Sequence, residues 1–254
     1  MTEERIQFTG AMGNSLVGRL SRPPGAAPAA WVLFAHCFTC GKSIAAAARI
    51  SRALANTGFG VLRFDFTGLG ESAGDFADTN FSSNIADLVA AAAWLRDHEG
   101  PARVLVGHSL GGTAALEAAP AIEDCVAVAT IASPARAEHI EHLLSGSREK
   151  ILRDGEAEVN LGGRPFTIRR QFIEDLGAHG LPESVRKLRR ALLVLHSPAD
   201  DVVAIENAAE LFGHALHPKS FISLDGADHL LTRSADAEYT ANIIGAWATR
   251  YLRA

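Results

Sequence analysis

Short runs of consecutive apolar residues recur along the chain between helical stretches: WVLFAH (31–36), VLRFDF (61–66), ARVLVG (102–107), VAVATIA (126–132), ALLVLH (191–196) and SFISL (220–224). A strand that is apolar at every position has both faces covered, so these runs predict interior strands of a parallel sheet. Segments 43–58, 80–98, 111–120, 204–216 and 235–253 predict helices. The second carries a Ser or Asn cap near 80–83, and Asp87 falls early in it, where the helix dipole favours an anion. Alternating strands and helices imply right-handed crossovers and a mostly parallel, doubly wound α/β sheet. Residues 5–23 instead predict an antiparallel hairpin that turns near Gly13-Asn14.

Segment 134–188 interrupts the alternation. It is charged, rich in His and Arg, and contains a small hairpin over 158–168 that turns at Gly162-Gly163. Its position after the strand ending near Ala132 predicts a cap laid over the carboxyl ends of the strands. The expected organisation is a single domain, 1–254, with a core formed by 1–133 and 189–254 and a cap insertion over 134–188.

Composition narrows the partners. The chain has 254 residues, 48% apolar and 21% charged, with a net charge of −5, which argues against nucleic acid or an anionic membrane surface as the main partner. No apolar run approaches the roughly 18 residues of a membrane span, and the acidic start MTEERIQFTG has no secretory h-region. Three cysteines make no disulfide framework, so the expected location is the cytoplasm.

The chemistry centres on Gly107-His108-Ser109-Leu110-Gly111, a Gly-x-Ser-x-Gly pattern between an apolar strand and a helix of small residues. That setting is the one a nucleophile elbow requires: the turn strains the serine backbone, and only small neighbours fit beside it. A serine hydroxyl becomes a nucleophile when a histidine takes its proton and a carboxylate orients that histidine. The expected chain order is Ser, then acid, then His. Asp200 and Asp201 follow a strand in LHSPADDVV, and His229 lies in the loop DGADHLL before the last helix. Among ten histidines, His229 is the best placed base. His108 should point away from the serine hydroxyl, and His36 and His196, at strand ends, should bond loop backbones. Asp225 and Asp228 flank His229 too closely to reach its Nδ1. Spacing alone leaves Asp200 and Asp201 as alternatives for the acid.

With GHSLGG, LHSPADDVV and DGADHLL in place, the chain resembles the α/β-hydrolase family over nearly its whole length. The stretches FAHCFTCGKSIAAAARISRAL, FDFTGLGESAGDFADTNFSSN and HPKSFISLDGADHLL are similar to the hydrolase half of bacterial proteins fused to an OsmC-like peroxide-reductase domain. The resemblance implies an α/β-hydrolase fold and a serine esterase with the triad Ser109, Asp200 and His229. Asp200 is selected by its spacing from His196 and Val203. The resemblance also assigns oxyanion-hole N–H groups to Phe38 and Leu110, with Cys37 where the family usually has glycine. The serine mechanism needs no metal or organic cofactor, and the small, Ala-rich surroundings suit a small-molecule ester of short to medium acyl chain as substrate. Other serine-dependent chemistry on amides, thioesters, carbon–carbon bonds or peroxide is the alternative within the fold. A non-catalytic, redox-responsive partner of a peroxide-detoxifying protein is the alternative outside it.

The stretch AHCFTCGKS (35–43) has two rival readings. A phosphate loop needs glycine at position 36, which is His36. A thioredoxin-like role for Cys37 and Cys40 would leave Ser109, Asp200 and His229 without a purpose, so the cysteines are expected to pack near the substrate. In the insertion, Phe166, Phe172, Leu161 and Ile173 are candidates to line an acyl pocket. Arg169 and Arg170 are candidates to meet an anion or to form a solvated face.

Overall fold

The computed structural model describes residues 1–36, 45–144, 146–161 and 163–252. Cys37, Phe38 and Cys40, with the rest of the loop after the third strand, lie outside the described residues. The apolar runs form β3 (Trp31–Ala35), β4 (Gly60–Phe64), β5 (Ala102–His108), β6 (Ala127–Ile131), β9 (Ala191–His196) and β10 (Lys219–Ser223). They pair in parallel, and β1 (Thr2–Thr9) and β2 (Ser15–Arg22) complete an eight-stranded sheet in the order β1-β2-β4-β3-β5-β6-β9-β10. The β1–β2 hairpin is antiparallel and joins β4 antiparallel as well. Its turn is closed by Gly10 N–H donating to Asn14 O (2.8 Å), with Gly13 at φ +79°.

Continuous apolarity has the predicted cause in β3, β4, β5, β6 and β9. By contrast β10 is not an interior strand but the sheet's edge, with Phe221 exposed because no further strand or helix among the described residues covers that side. Successive side chains of a strand point to opposite faces, so Leu33, Leu105 and Leu192 pack on one side of the sheet while Val32, Val104 and Leu193 pack on the other. Helices α2 (Phe81–His98), α3 (Leu110–Ala118) and α7 (Glu206–His214) cover the first face. Helices α1 (Ala45–Asn56) and α8 (Ser234–Leu252) cover the second. Asn80 caps α2 as predicted: its side chain accepts from Ser83 N–H (2.7 Å), and Ser83 Oγ accepts from Asn80 N–H (2.9 Å), a reciprocal capping box.

Asp87 has a different role from the one its helix position predicts. It lies beyond the first turn of α2, where the dipole has little effect. Its side chain is instead a buried tie between three segments, accepting from Thr67 N–H (3.0 Å), Thr67 Oγ–H (2.8 Å) and Ala11 N–H (3.2 Å). Burial outweighs these bonds and raises its pKa above the usual carboxylate value.

Between β6 and β9 the chain leaves the main sheet. It forms α4 (Arg148–Asp154), an antiparallel ribbon of β7 (Glu156–Leu161) and β8 (Arg164–Arg169), and helices α5 (Arg170–Leu176) and α6 (Leu181–Lys187). The three short helices were not legible in the sequence, and none has a side-chain cap. The insertion is fastened to the α2 side of the molecule. Ser82 N–H and Oγ–H donate to Asp175 (2.7 and 2.6 Å), Gln171 Nε2 donates to Ala77 O (2.8 Å), and Arg169 pairs with Asp78 and Glu156. At the other rim, the outer hairpin is held by Arg5–Glu71 and by Arg22 with Glu4 and Glu99, while the buried Arg63 meets Glu3.

Asp87→Ala would leave the amides of Thr67 and Ala11 without their acceptor, so we expect a loss of about 3 kcal/mol in urea unfolding. The raised folded pKa also fixes a pH trend. The folded state binds more protons than the unfolded state, so this group's contribution declines as pH rises from the unfolded value near 4 through the folded one. Asp87→Asn should flatten that part of the stability–pH curve.

Candidate active site

Strand β5 runs directly into α3 through Ser109, whose backbone sits at φ 55° and ψ −129°. A non-glycine residue in that region is strained. The turn is possible because its neighbours have no side chain. A Cβ on Gly107 would strike the Gly111 carbonyl, one on Gly111 would strike the backbone of Ala35 and His36, and one on Gly112 would strike Ser133 Oγ. Ser109 N–H donates to Ile131 O (2.9 Å), which ties the turn to β6. Leu110 is the first residue of α3 and is buried, so its N–H belongs to the positive end of that helix.

The other two groups sit on loops that leave neighbouring parallel strands, β9 and β10. After β9, Asp200 folds back so that its Oδ1 accepts from Val202 N–H (2.9 Å) and Val203 N–H (2.8 Å). Its Oδ2 faces His229 Nδ1 at 2.8 Å. Asp201 points to solvent. Burial disfavours the Asp200 charge, but the hydrogen bonds from His229, Val203 and Val202 outweigh it and hold the carboxyl below its usual pKa. An ionised carboxylate only accepts, so His229 carries its proton on Nδ1 and leaves the Nε2 lone pair free. That lone pair lies 3.2 Å from Ser109 Oγ. Ser109, His229 and Asp200 are thus brought into one hydrogen-bonded line. Asp225 and Asp228 bond Ser223 and Thr232 within their own loop.

Of the remaining strand-end histidines, His196 bonds a loop backbone as expected, and His108 has an acceptor that was not foreseen. His196 Nε2–H donates to Val203 O (2.8 Å), and its Nδ1 is buried with no hydrogen-bond partner among the described residues; burial lowers its pKa against the pull of the nearby Asp200 carboxylate. His108 points away from the serine hydroxyl as expected, but its Nε2–H donates to the main-chain carbonyl of His229 (2.7 Å). Burial, reinforced by the adjacent His229, pushes the His108 pKa down to about 4. The sequence carries no signal for this bond beyond the position of His108 beside the serine. His36 is buried edge-on against Phe66.

In the insertion, Leu161, Phe172 and Ile173 are buried in the main core, and Phe166 is partly buried against Phe76. Phe166 and Phe172 both pack against Phe76 of the 3-10 turn at Phe76–Asp78. Arg169 is neutralised by Asp78 and Glu156, and Arg170 donates weakly to Arg153 O. Cys125 is buried, and burial raises its thiol pKa to about 11, which leaves it an inert packing residue. Among the described residues no group of His, Cys, Asp and Glu is arranged to hold a metal ion, and no helix is long and apolar enough to cross a membrane.

The chain matches a family model described as the alpha/beta hydrolase family over residues 32–242. The esterase domain of a Rhodothermus marinus protein is 46% identical, with 99% of this chain and 100% of that one covered and a TM-score of 0.81. Two more distant solved structures share the fold. Est1E from Butyrivibrio proteoclasticus with ferulic acid bound is 17% identical, covers 98% and 100% of the two chains and has a TM-score of 0.80. Alpha/beta hydrolase domain-containing protein 10 from mouse is 21% identical, covers 97% and 99%, and has a TM-score of 0.78. No curated protein sequence matches. With the family match spanning most of its length and a parallel sheet entered by an antiparallel hairpin, this chain belongs to the alpha/beta hydrolase family.

Proposed function

We propose that the protein is a serine esterase that cleaves carboxylic esters through an acyl-enzyme. The observation that carries the reading is the line from Ser109 Oγ through His229 to Asp200, with separations of 3.2 and 2.8 Å. His229 Nε2 takes the proton of Ser109 as Oγ attacks the acyl carbon. The imidazolium then gives that proton to the leaving alcohol. Asp200 stabilises the imidazolium without taking its proton. Water, deprotonated by the same histidine, releases the acid and restores the serine. The oxyanion is held by the N–H of Leu110 at the start of α3 and, on the sequence reading, by that of Phe38. The 46% identity to an esterase domain favours ester cleavage over the other acyl chemistries open to this fold.

Segment 134–188 serves as the cap in this proposal, bounding the acyl site as a fixed wall tied to α2 by Asp175 and to the preceding turn by Gln171 and Arg169. The substrates are small esters of short to medium chain, and the working compartment is the cytoplasm. The kinship with hydrolase halves of OsmC-fused proteins belongs to the same reading and rests on the three stretches quoted above.

p-Nitrophenyl acetate, butyrate and octanoate test the proposal directly. Ser109→Ala should lose roughly 10⁴-fold or more of turnover and all labelling by a fluorophosphonate. Retention of either would overturn the serine mechanism. Asp200→Asn should lose about 10³–10⁴-fold, because the histidine would then be held in the wrong tautomer. Asp201→Asn, on the solvent side, should leave turnover within about twofold of wild type. Equal losses in the two aspartate variants would argue against Asp200 as the acid.

A further inference from the structure

The bond between His108 and the backbone of His229 has no part in the chemistry just proposed, yet it links the nucleophile's immediate neighbour to the base. The His108 ring is buried, lies 5.1 Å from the His229 ring, and directs Nε2 at the His229 carbonyl over 2.7 Å. A carbonyl oxygen can only accept, so Nε2 is the donor.

We infer that His108 is a positioning residue that sets the reach of His229 toward Ser109 by holding the main chain of the base. The inference rests on the proposed roles of Ser109 and His229. An imidazole on a loop needs two fixed points for its Nε2 to have a defined place. Asp200 fixes the ring at Nδ1. The loop is tied to β9 by Leu224 N–H donating to His196 O (2.8 Å) and to α1 by Arg49 donating to Thr232 O (2.6 Å), but both ties lie away from the base itself. The bonds from Leu231 N–H to Asp228 O and from Thr232 to Asp228 run within the loop. His108 supplies the second point. It is also the residue next to Ser109, so the strained turn that aims the nucleophile carries the group that holds the base. The Oγ–Nε2 separation is therefore set by a path through two adjacent residues rather than around the sheet. A displacement of about 1 Å in such a pair costs on the order of 10²-fold in rate.

His108→Leu removes the donor and keeps the bulk. His108→Asn supplies a donor that falls short, and His108→Gln supplies one at the reach of Nε2. For each variant five quantities are read: kcat and KM on p-nitrophenyl butyrate, the rate of fluorophosphonate labelling, thermal unfolding, and the downfield proton resonance of His229 Nδ1–H against Asp200. We expect Leu and Asn to lower kcat and labelling by about 10- to 100-fold with little change in KM, and to shift or broaden the resonance. Gln should restore all three. Wild-type rates and an unchanged resonance in His108→Leu would overturn the inference. So would a Gln variant no better than Leu, with losses that follow the unfolding temperature alone. If wild type is not labelled at all, the esterase reading fails. The resonance still decides His108: its loss in Leu with recovery in Gln supports positioning, and its persistence in Leu overturns it.

Discussion

The hydrogen bond between Asp200 and His229 spans two loops that leave adjacent parallel strands, and much of this end of the molecule is arranged around it. A carboxylate with a fully buried side chain is unfavourable unless its oxygens are bonded. Here the amides of Val202 and Val203 occupy one oxygen and the imidazole the other. The same bonds that make the charge tolerable fix the tautomer of His229, which leaves its second nitrogen facing Ser109. Stability and reactivity are met by one set of contacts.

Three strands of the sheet, β3, β5 and β9, run into histidines: His36 just past β3, and His108 and His196 as the last residues of β5 and β9. Two of them do comparable work. His196 holds the carbonyl of Val203, whose amide holds Asp200, and His108 holds the carbonyl of His229. Each loop is thereby tied to a strand end by an imidazole too buried to charge readily. A neutral ring beside His229 would also add no repulsion to the imidazolium that the proposed mechanism places there.

The legible parts of the sequence were those whose cause is local. Apolar runs disclosed the parallel strands because both faces of β3, β4, β5, β6 and β9 are covered, with the partly exposed edge strand β10 as the exception. The reciprocal cap at Asn80 and Ser83 lies within one turn. The glycines around Ser109 disclosed the elbow because backbone would occupy the space of any Cβ. What escaped depends on partners far along the chain. Asp87 read as a helix-dipole residue because Thr67 and Ala11 are distant, and the acceptor of His108 lies 121 positions away. The short helices α4, α5 and α6 escaped because each is about two turns long and lacks a side-chain N-cap, although Gly155 ends α4 in the left-handed conformation and a proline opens α6. Spacing left Asp200 and Asp201 equivalent because the difference between them is a fold-back of one side chain onto the amides that follow.

The ties at the two ends of the molecule differ in kind. The outer hairpin, paired through its backbone and buried through Ile6, Phe8, Leu16 and Leu20, adds side-chain ties that are ion pairs between partly exposed groups, such as Arg5 with Glu71 and Arg22 with Glu4. The loops of the active site are held by short bonds from buried imidazoles and amides. Ionic strength therefore acts on the molecule unevenly. Mobile ions screen the first kind of contact and hardly reach the second. Concentrated salt weakens the surface pairs of the hairpin, each worth about 1 kcal/mol or less, while its backbone ladder and the bonds around Ser109 and His229 are little touched.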